Sequence, residues 1–192
     1  MKFILKLGND VWNAFVLKYK RVKIGKSSHI RGRLFVHGKK GAIVVGDDVT
    51  IQSSDNANFT SGFNRTHLSA EKNGYIIIGN KVGISNATVV AFAGVTIEDN
   101  VYIGSGVKIW DTDFHSLDYE TRINKGDTNV KSAPVLIKKG AFIGACTIIL
   151  KGVTIGEHAI IGAGSVVTKN IPSGEIWAGN PAKCVGKVEG EI

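Results

Sequence analysis

Residues 135–181 read VLIKKGAFIGACTIILKGVTIGEHAIIGAGSVVTKNIPSGEIWAGNP, and their spacing decides the fold. Stepping by six from Ile137 gives Ile143, Ile149, Ile155, Ile161 and Val167, all aliphatic and β-branched. A second column lies four residues past each of the first five, at Ala141, Thr147, Val153, Ala159 and Ser165, and every member is small or β-branched. Glycine follows the aliphatic residue at Gly144, Gly156 and Gly162. A period of six fits neither the 3.6 of an α-helix nor the 2 of a half-buried strand. It fits a short strand plus a corner, repeated. Three such units close one triangular coil of 18 residues, and coils stack at about 4.8 Å. Each coil buries its aliphatic residues only against its neighbours, so the solenoid needs several coils and covered ends.

The same register runs back through Ile97, Ile103 and Ile109, with Val101 and Val107 in the second column. An earlier stretch gives Ile78, Ile84 and Val90, after which one extra residue shifts the frame. Weaker traces are Ile24, Ile30, Val36, Val45 and Ile51. The expected class is all-β, a parallel β-helix. Three segments interrupt it. Residues 56–72 and 115–133 read as loops, and long loops in compact domains are commonly functional. Residues 10–20 place Val11, Trp12, Phe15, Val16 and Tyr19 on one face of a short amphipathic helix. That helix either caps the prism or lies on a membrane surface. The expected division is a helical cap over residues 1–20, the β-helix over 21–185 with its loop at 115–133, and a tail over 186–192.

Composition narrows the function. An apolar fraction of 43% against 21% charged residues argues against disorder. The net charge of +8 comes from Lys and Arg that read as scattered, without interleaved aromatics. It therefore fits a basic surface or a phosphate-bearing ligand better than nucleic acid. Cys146 and Cys184 form no metal-type spacing and read as free thiols in a reducing compartment. No signal peptide or membrane span is evident, so a cytoplasmic protein is expected, with at most weak membrane-surface association.

These residues resemble the hexapeptide-repeat acyltransferases, closest to the acetyl-CoA-dependent sugar and polysaccharide O-acetyltransferases of the galactoside, maltose and nodulation-factor group. The resemblance covers roughly residues 75–185 and implies a left-handed coil, a homotrimer with sites between subunits, acetyl-CoA as co-substrate and no metal. It implies that His115, in Asp111-Thr112-Asp113-Phe114-His115-Ser116, is the general base. His115 also falls six residues after Ile109, where the next inward residue is due and the long loop begins. A neutral imidazole can take the proton of an attacking hydroxyl near pH 7. Asp113 is near enough in sequence to orient that ring, or it faces solvent. His29, His37, His67 and His158 read as surface residues.

The resemblance also marks Asn86 as an active-site residue; the alternative is an ordinary corner asparagine. Asn86 and His115 are 29 residues apart, which is not a multiple of 18, so they belong on different sides of one prism. For the cofactor, Gly144 stacks under Gly162 and Ala145 under Ala163, 18 residues on. This column of small residues makes a groove for a pantetheine arm, or is plain coil packing. Phe142 lines the pocket by resemblance, and Thr168 and Lys169 match a pair near the nucleotide end of CoA. Gly186 stands where relatives carry Arg, which passes the phosphate contact to Lys183 or Lys187. Competing readings are an N-acetyltransferase of an amino sugar nucleotide, an antibiotic O-acetyltransferase, a metalloenzyme on the same solenoid, and a non-catalytic scaffold. The metalloenzyme needs a second histidine where Tyr119 and Glu120 stand.

Overall fold

The computed structural model describes residues 2–54, 65–124 and 126–189. The chain winds as a left-handed parallel β-helix with three sheets as its faces. The first face stacks Lys23–Ile24, Ile43–Val45, Ile76–Ile78, Val95–Ile97, Val135–Ile137 and Thr154–Ile155. The second runs from His29–Gly32 through Thr50–Ser53, Gly83–Ser85, Tyr102–Ile103, Phe142–Ile143 and Ile160–Ile161. It ends in Glu175–Gly179 and Ala182–Lys187. The third holds Phe35–Gly38, His67–Ala70, Thr88–Ala91, Lys108–Trp110, Ile148–Ile149 and Val166–Val167.

Inward side chains stack in three ladders that the strand registers align. Val45, Ile78, Ile97, Ile137 and Ile155 climb the first face. Ile51, Ile84, Ile103, Ile143 and Ile161 climb the second. Val36, Leu68, Val89, Ile109, Ile149 and Val167 climb the third. All are buried, and each buried aliphatic side chain contributes about 1.5–3 kcal/mol of hydrophobic stabilisation.

The expected frame needs correcting at Val90. Val89 and Ala91 point inward, and Val90 faces out beside Trp110. The corner after Ile84 is one residue shorter than the corner after Ile103, because Ala87 occupies the level of Val107. The 18-residue coil holds at the C-terminal end, where Ile143 pairs with Ile161 and Ile149 with Val167. Earlier coils are longer; Val95 pairs with Ile76 and Ile109 with Val89. Part of the segment read as a loop at 56–72 is a strand, His67–Ala70, on the third face. Residues 55–64 lie outside the described residues.

Helix α1 spans Lys2–Lys20, longer than the segment read from sequence. Its inner face carries Trp12, Asn13, Val16 and Leu17 onto the first coil. Trp12 Nε1 donates to Leu34 O at 2.9 Å. Asn13 Nδ2 donates to Gly32 O at 2.8 Å, and its Oδ1 accepts from Leu34 N at 2.9 Å. These bonds serve backbone groups that the end of a solenoid leaves without a strand partner. Val11, Phe15 and Tyr19 do not join this face; they are 63%, 62% and 53% exposed. The other end finishes in an antiparallel hairpin, Glu175–Gly179 with Ala182–Lys187. Its second strand crosses the boundary at 186 set for a tail.

Candidate active site

The 112–132 excursion leaves the prism after Trp110, at the edge between the third and first faces. Asp111 anchors its root. Its buried carboxylate accepts from Phe92 N at 2.7 Å, Ala93 N at 2.7 Å and Gly94 N at 2.6 Å. An antiparallel bridge between Thr112 and Ser132 pinches the excursion shut, and Asp113 N donates to Lys131 O at 3.0 Å. Phe114 takes a left-handed backbone, φ 63°, and sets its ring edge-on to Trp110 at 5.7 Å and Phe92 at 6.1 Å. Helix α2, Tyr119–Asn124, sits inside the excursion, with Thr121 N donating to Asp118 Oδ1 at its start.

His115 follows Phe114 and does not continue an inward ladder, contrary to the register argument. Its side chain is 71% exposed. Its Nδ1 bonds Asp127 Oδ2, while Asp127 Oδ1 accepts from Ser116 N at 2.7 Å. The Ser116 amide, then the His115 bond, hold the Asp127 carboxyl below its ordinary value. An ionised Asp127 that accepts at Nδ1 puts the imidazole proton there and leaves Nε2 as the free lone pair. Arg122 steadies the same turn by donating to Ser116 O at 2.5 Å.

Asp113 does not orient this ring. Its Oδ1 accepts from Lys151 Nζ at 2.6 Å, tying the excursion to the coil above. Sequence proximity pointed to Asp113, two residues from His115; the fold brings Asp127, twelve residues away, instead. The one available signal was that Asp127 is among three acids of the loop, with Asp118 and Glu120.

Asn86 lies on a different edge, between the second and third faces. It is buried in a left-handed conformation, φ 44°. Its backbone joins the coils on either side, donating to Gln52 O at 2.9 Å and accepting from Gly106 N at 3.2 Å. Its Nδ2 donates to Ser54 O at 3.3 Å, and its Oδ1 is buried with no hydrogen-bond partner among the described residues. One chain therefore does not bring Asn86 and His115 to one edge.

The small-residue column runs up Asn86's edge. A Cβ on Gly104 would stand 2.6 Å from Ala145 N, and one on Gly144 would stand 2.5 Å from Ala163 N. One on Gly162 would stand 2.9 Å from Ala178 Cβ. Coil stacking alone thus demands glycine at Gly104 and Gly144. Ala145 is half-buried and Ala163 exposed, so the column still presents a thin outer surface. Phe142, 48% exposed, pairs in register with Tyr102, and both rings line a 410 Å³ cavity on the second face with Gln52 and Ser85. Thr168, Lys169 and Lys183 share a second cavity, of 210 Å³, with Trp177 and Cys184. The terminal hairpin, absent from the sequence reading, brings Lys183 there. Lys187 pairs with Glu175 in that hairpin and does not line the cavity.

Of the remaining histidines, His67 is not a plain surface residue. It is half-buried, stacked on Phe35 at 4.7 Å and on His37 at 6.3 Å. Burial, then the charge of His37, lowers its pKa from the ordinary 6.5. Among the described residues no group of three His, Cys, Asp or Glu side chains is placed to hold a metal.

Residues 134–169 match the bacterial transferase hexapeptide family (six repeats). That stretch of the coil carries the repeat of this family. Galactoside O-acetyltransferase of Escherichia coli is 39% identical over 103 residues, 54% of this chain. The match spans 49% of that relative's length. Among solved structures, a point mutant of AntD, an N-acyltransferase from Bacillus cereus in complex with dTDP and coenzyme A, superposes with a TM-score of 0.69. It is 26% identical, with 87% of this chain and 84% of that one covered. A galactoside acetyltransferase in complex with coenzyme A shares the fold at a TM-score of 0.62 and 24% identity, over 91% and 70% of the two chains.

Proposed function

We propose that this protein is an acetyl-CoA-dependent O-acetyltransferase that acts on a hydroxyl of a sugar or surface-polysaccharide unit. The observation that carries the reading is the exposed His115 imidazole, bonded at Nδ1 by an ionised carboxylate. Such a ring is set to accept a proton at Nε2. The acceptor hydroxyl approaches the excursion, Nε2 takes its proton, and Asp127 stabilises the imidazolium that forms. The hydroxyl oxygen attacks the carbonyl of a bound acetyl thioester directly, the C–S bond breaks, and the imidazolium returns its proton to the departing CoA thiolate, which leaves as the thiol.

The donor's place is inferred from shape and charge. The Gly144–Ala145 and Gly162–Ala163 steps leave a narrow shelf for a thin arm with backbone amides at hand. Lys169 and Lys183 converge on one cavity with Thr168 and offer charge and hydrogen bonds for phosphate. Phe142 and Tyr102 flank the shelf on the second face. His115 and Asn86 occupy different edges, which supports sites shared between neighbouring subunits of a homotrimer. The buried Asn86 Oδ1 is an acceptor left for such a site.

A second acceptor class rests on the likeness to AntD: an amine on a sugar nucleotide, acylated by the same base. Thiol release from acetyl-CoA, measured with sugar hydroxyl and amino-sugar-nucleotide acceptors in parallel, separates the two. The expected result is turnover with a hydroxyl acceptor. His115→Ala should cut kcat by about 10²–10⁴-fold, with CoA binding by calorimetry unchanged. Absence of CoA binding in the wild-type protein would end the acyltransferase reading.

A further inference from the structure

The outer surface of α1 is unlike the rest of the molecule. Leu7, Val11, Phe15 and Tyr19 recur every four residues and form one exposed apolar stripe. They are 57%, 63%, 62% and 53% exposed, while the opposite side of the same helix caps the prism. The Phe15 and Tyr19 rings lie parallel at 5.9 Å, with Lys40 Nζ 4.3 Å and Lys20 Nζ 5.9 Å from the Tyr19 centroid. Lys18 and Arg21 are exposed nearby.

The charge of the protein is gathered at this end rather than scattered. The first 46 residues hold eleven Lys and Arg against one acid, Asp10, a net +10; residues 47–192 carry −2. Those 46 residues are α1 and the coil it covers. A helix with an apolar stripe inside a basic field has the composition of an interfacial helix, which buries its apolar face at the headgroup boundary and gains from anionic lipid. No described helix is long and apolar enough to cross a membrane.

We propose that the helix-capped end of the prism docks on an anionic phospholipid surface, with Leu7, Val11, Phe15 and Tyr19 entering the interface and the surrounding lysines and arginines facing the headgroups. Charge complementarity selects this occupant over a second copy of the chain, whose own matching end carries the same positive field. It also explains why aromatic and aliphatic side chains stay uncovered there, which a nucleic-acid backbone would not use. The helix then has two working faces, one closing the fold and the other addressing the lipid, and the active-site excursion lies further along the prism wall. This surface is independent of the acetyl-transfer reading.

Co-sedimentation of the full chain with phosphatidylcholine vesicles, alone or with about a third phosphatidylglycerol, tests the idea. Binding is expected only with phosphatidylglycerol, and it should fall on going from about 0.1 M to 1 M salt, where the screening length shrinks from about 10 Å to 3 Å. Val11→Ser with Phe15→Ser, and separately Lys18→Glu with Lys40→Glu, should each weaken partition by about tenfold or more. Their far-UV spectra and melting temperatures should match wild type, since these side chains are exposed. Equal partition of wild type and both variants, or none to anionic vesicles, overturns the proposal. So does a change in the sedimentation coefficient of the vesicle-free protein on replacing Val11 and Phe15, which would place the stripe between copies.

Discussion

Asp127 decides which form of His115 is presented. It contacts the ring at Nδ1 and is itself pinned by the Ser116 amide, so the imidazole is oriented by a carboxylate that stays ionised. Asp127→Asn offers an amide in its place, and the ring can then carry its proton on Nε2, the atom that the proposed base needs empty. We expect kcat to fall by about 10²-fold or more with little change in KM, following the behaviour of oriented histidines elsewhere. Asp113→Asn should act differently, because Asp113 meets Lys151 rather than the ring. A steady-state comparison of the two variants checks the assignment; equal losses would refute it. The sequence showed His115 through its place at the start of the excursion. It could not show Asp127, because no local period links two positions on opposite arms of one loop.

The coil is the element on which everything else is mounted, and it was the most legible part. β-branched residues at a spacing of six dictate an inward ladder whatever the corners do, and Ile97, Ile103, Ile109 and Ile137 through Val167 stand where that spacing puts them. Legibility failed at the corners. Val90 was misplaced because a corner one residue short leaves no mark on a hydrophobic count. The closing hairpin was missed because its strands obey neither period. The columns of small residues carry a structural demand of their own. Gly144→Ala would press a methyl group to 2.5 Å from Ala163 N and 2.6 Å from Ile161 O, both backbone atoms that cannot swing aside. We expect a loss of about 1–3 kcal/mol or more in urea denaturation. A neutral result would show that neighbouring coils can slide apart, and would weaken the case for a rigid shelf along that edge.

At the scale of the molecule, the prism separates its chemical groups by edge. His115 leaves from one edge, while Asn86 and the Gly144–Ala163 shelf occupy another. If neighbouring subunits complete the site, two inactive variants should repair each other. His115→Ala and Asn86→Ala, unfolded together and reassembled in equal amounts, should regain about a quarter of wild-type activity, since that fraction of interfaces pairs an intact histidine with an intact asparagine. Mixtures as inactive as the separate variants would place both residues' roles within one chain. The same edge logic limits how such a chain can change length. Six added residues between Asn86 and Trp110 would carry everything downstream a third of a revolution around the axis, and the arm that carries His115 would point along a new bearing. A whole added rung would lift that arm by about 4.8 Å and leave its compass heading alone. Viable insertions in the wall of this protein are therefore quantised, and most single-residue slips must be absorbed at a corner before they reach the next face.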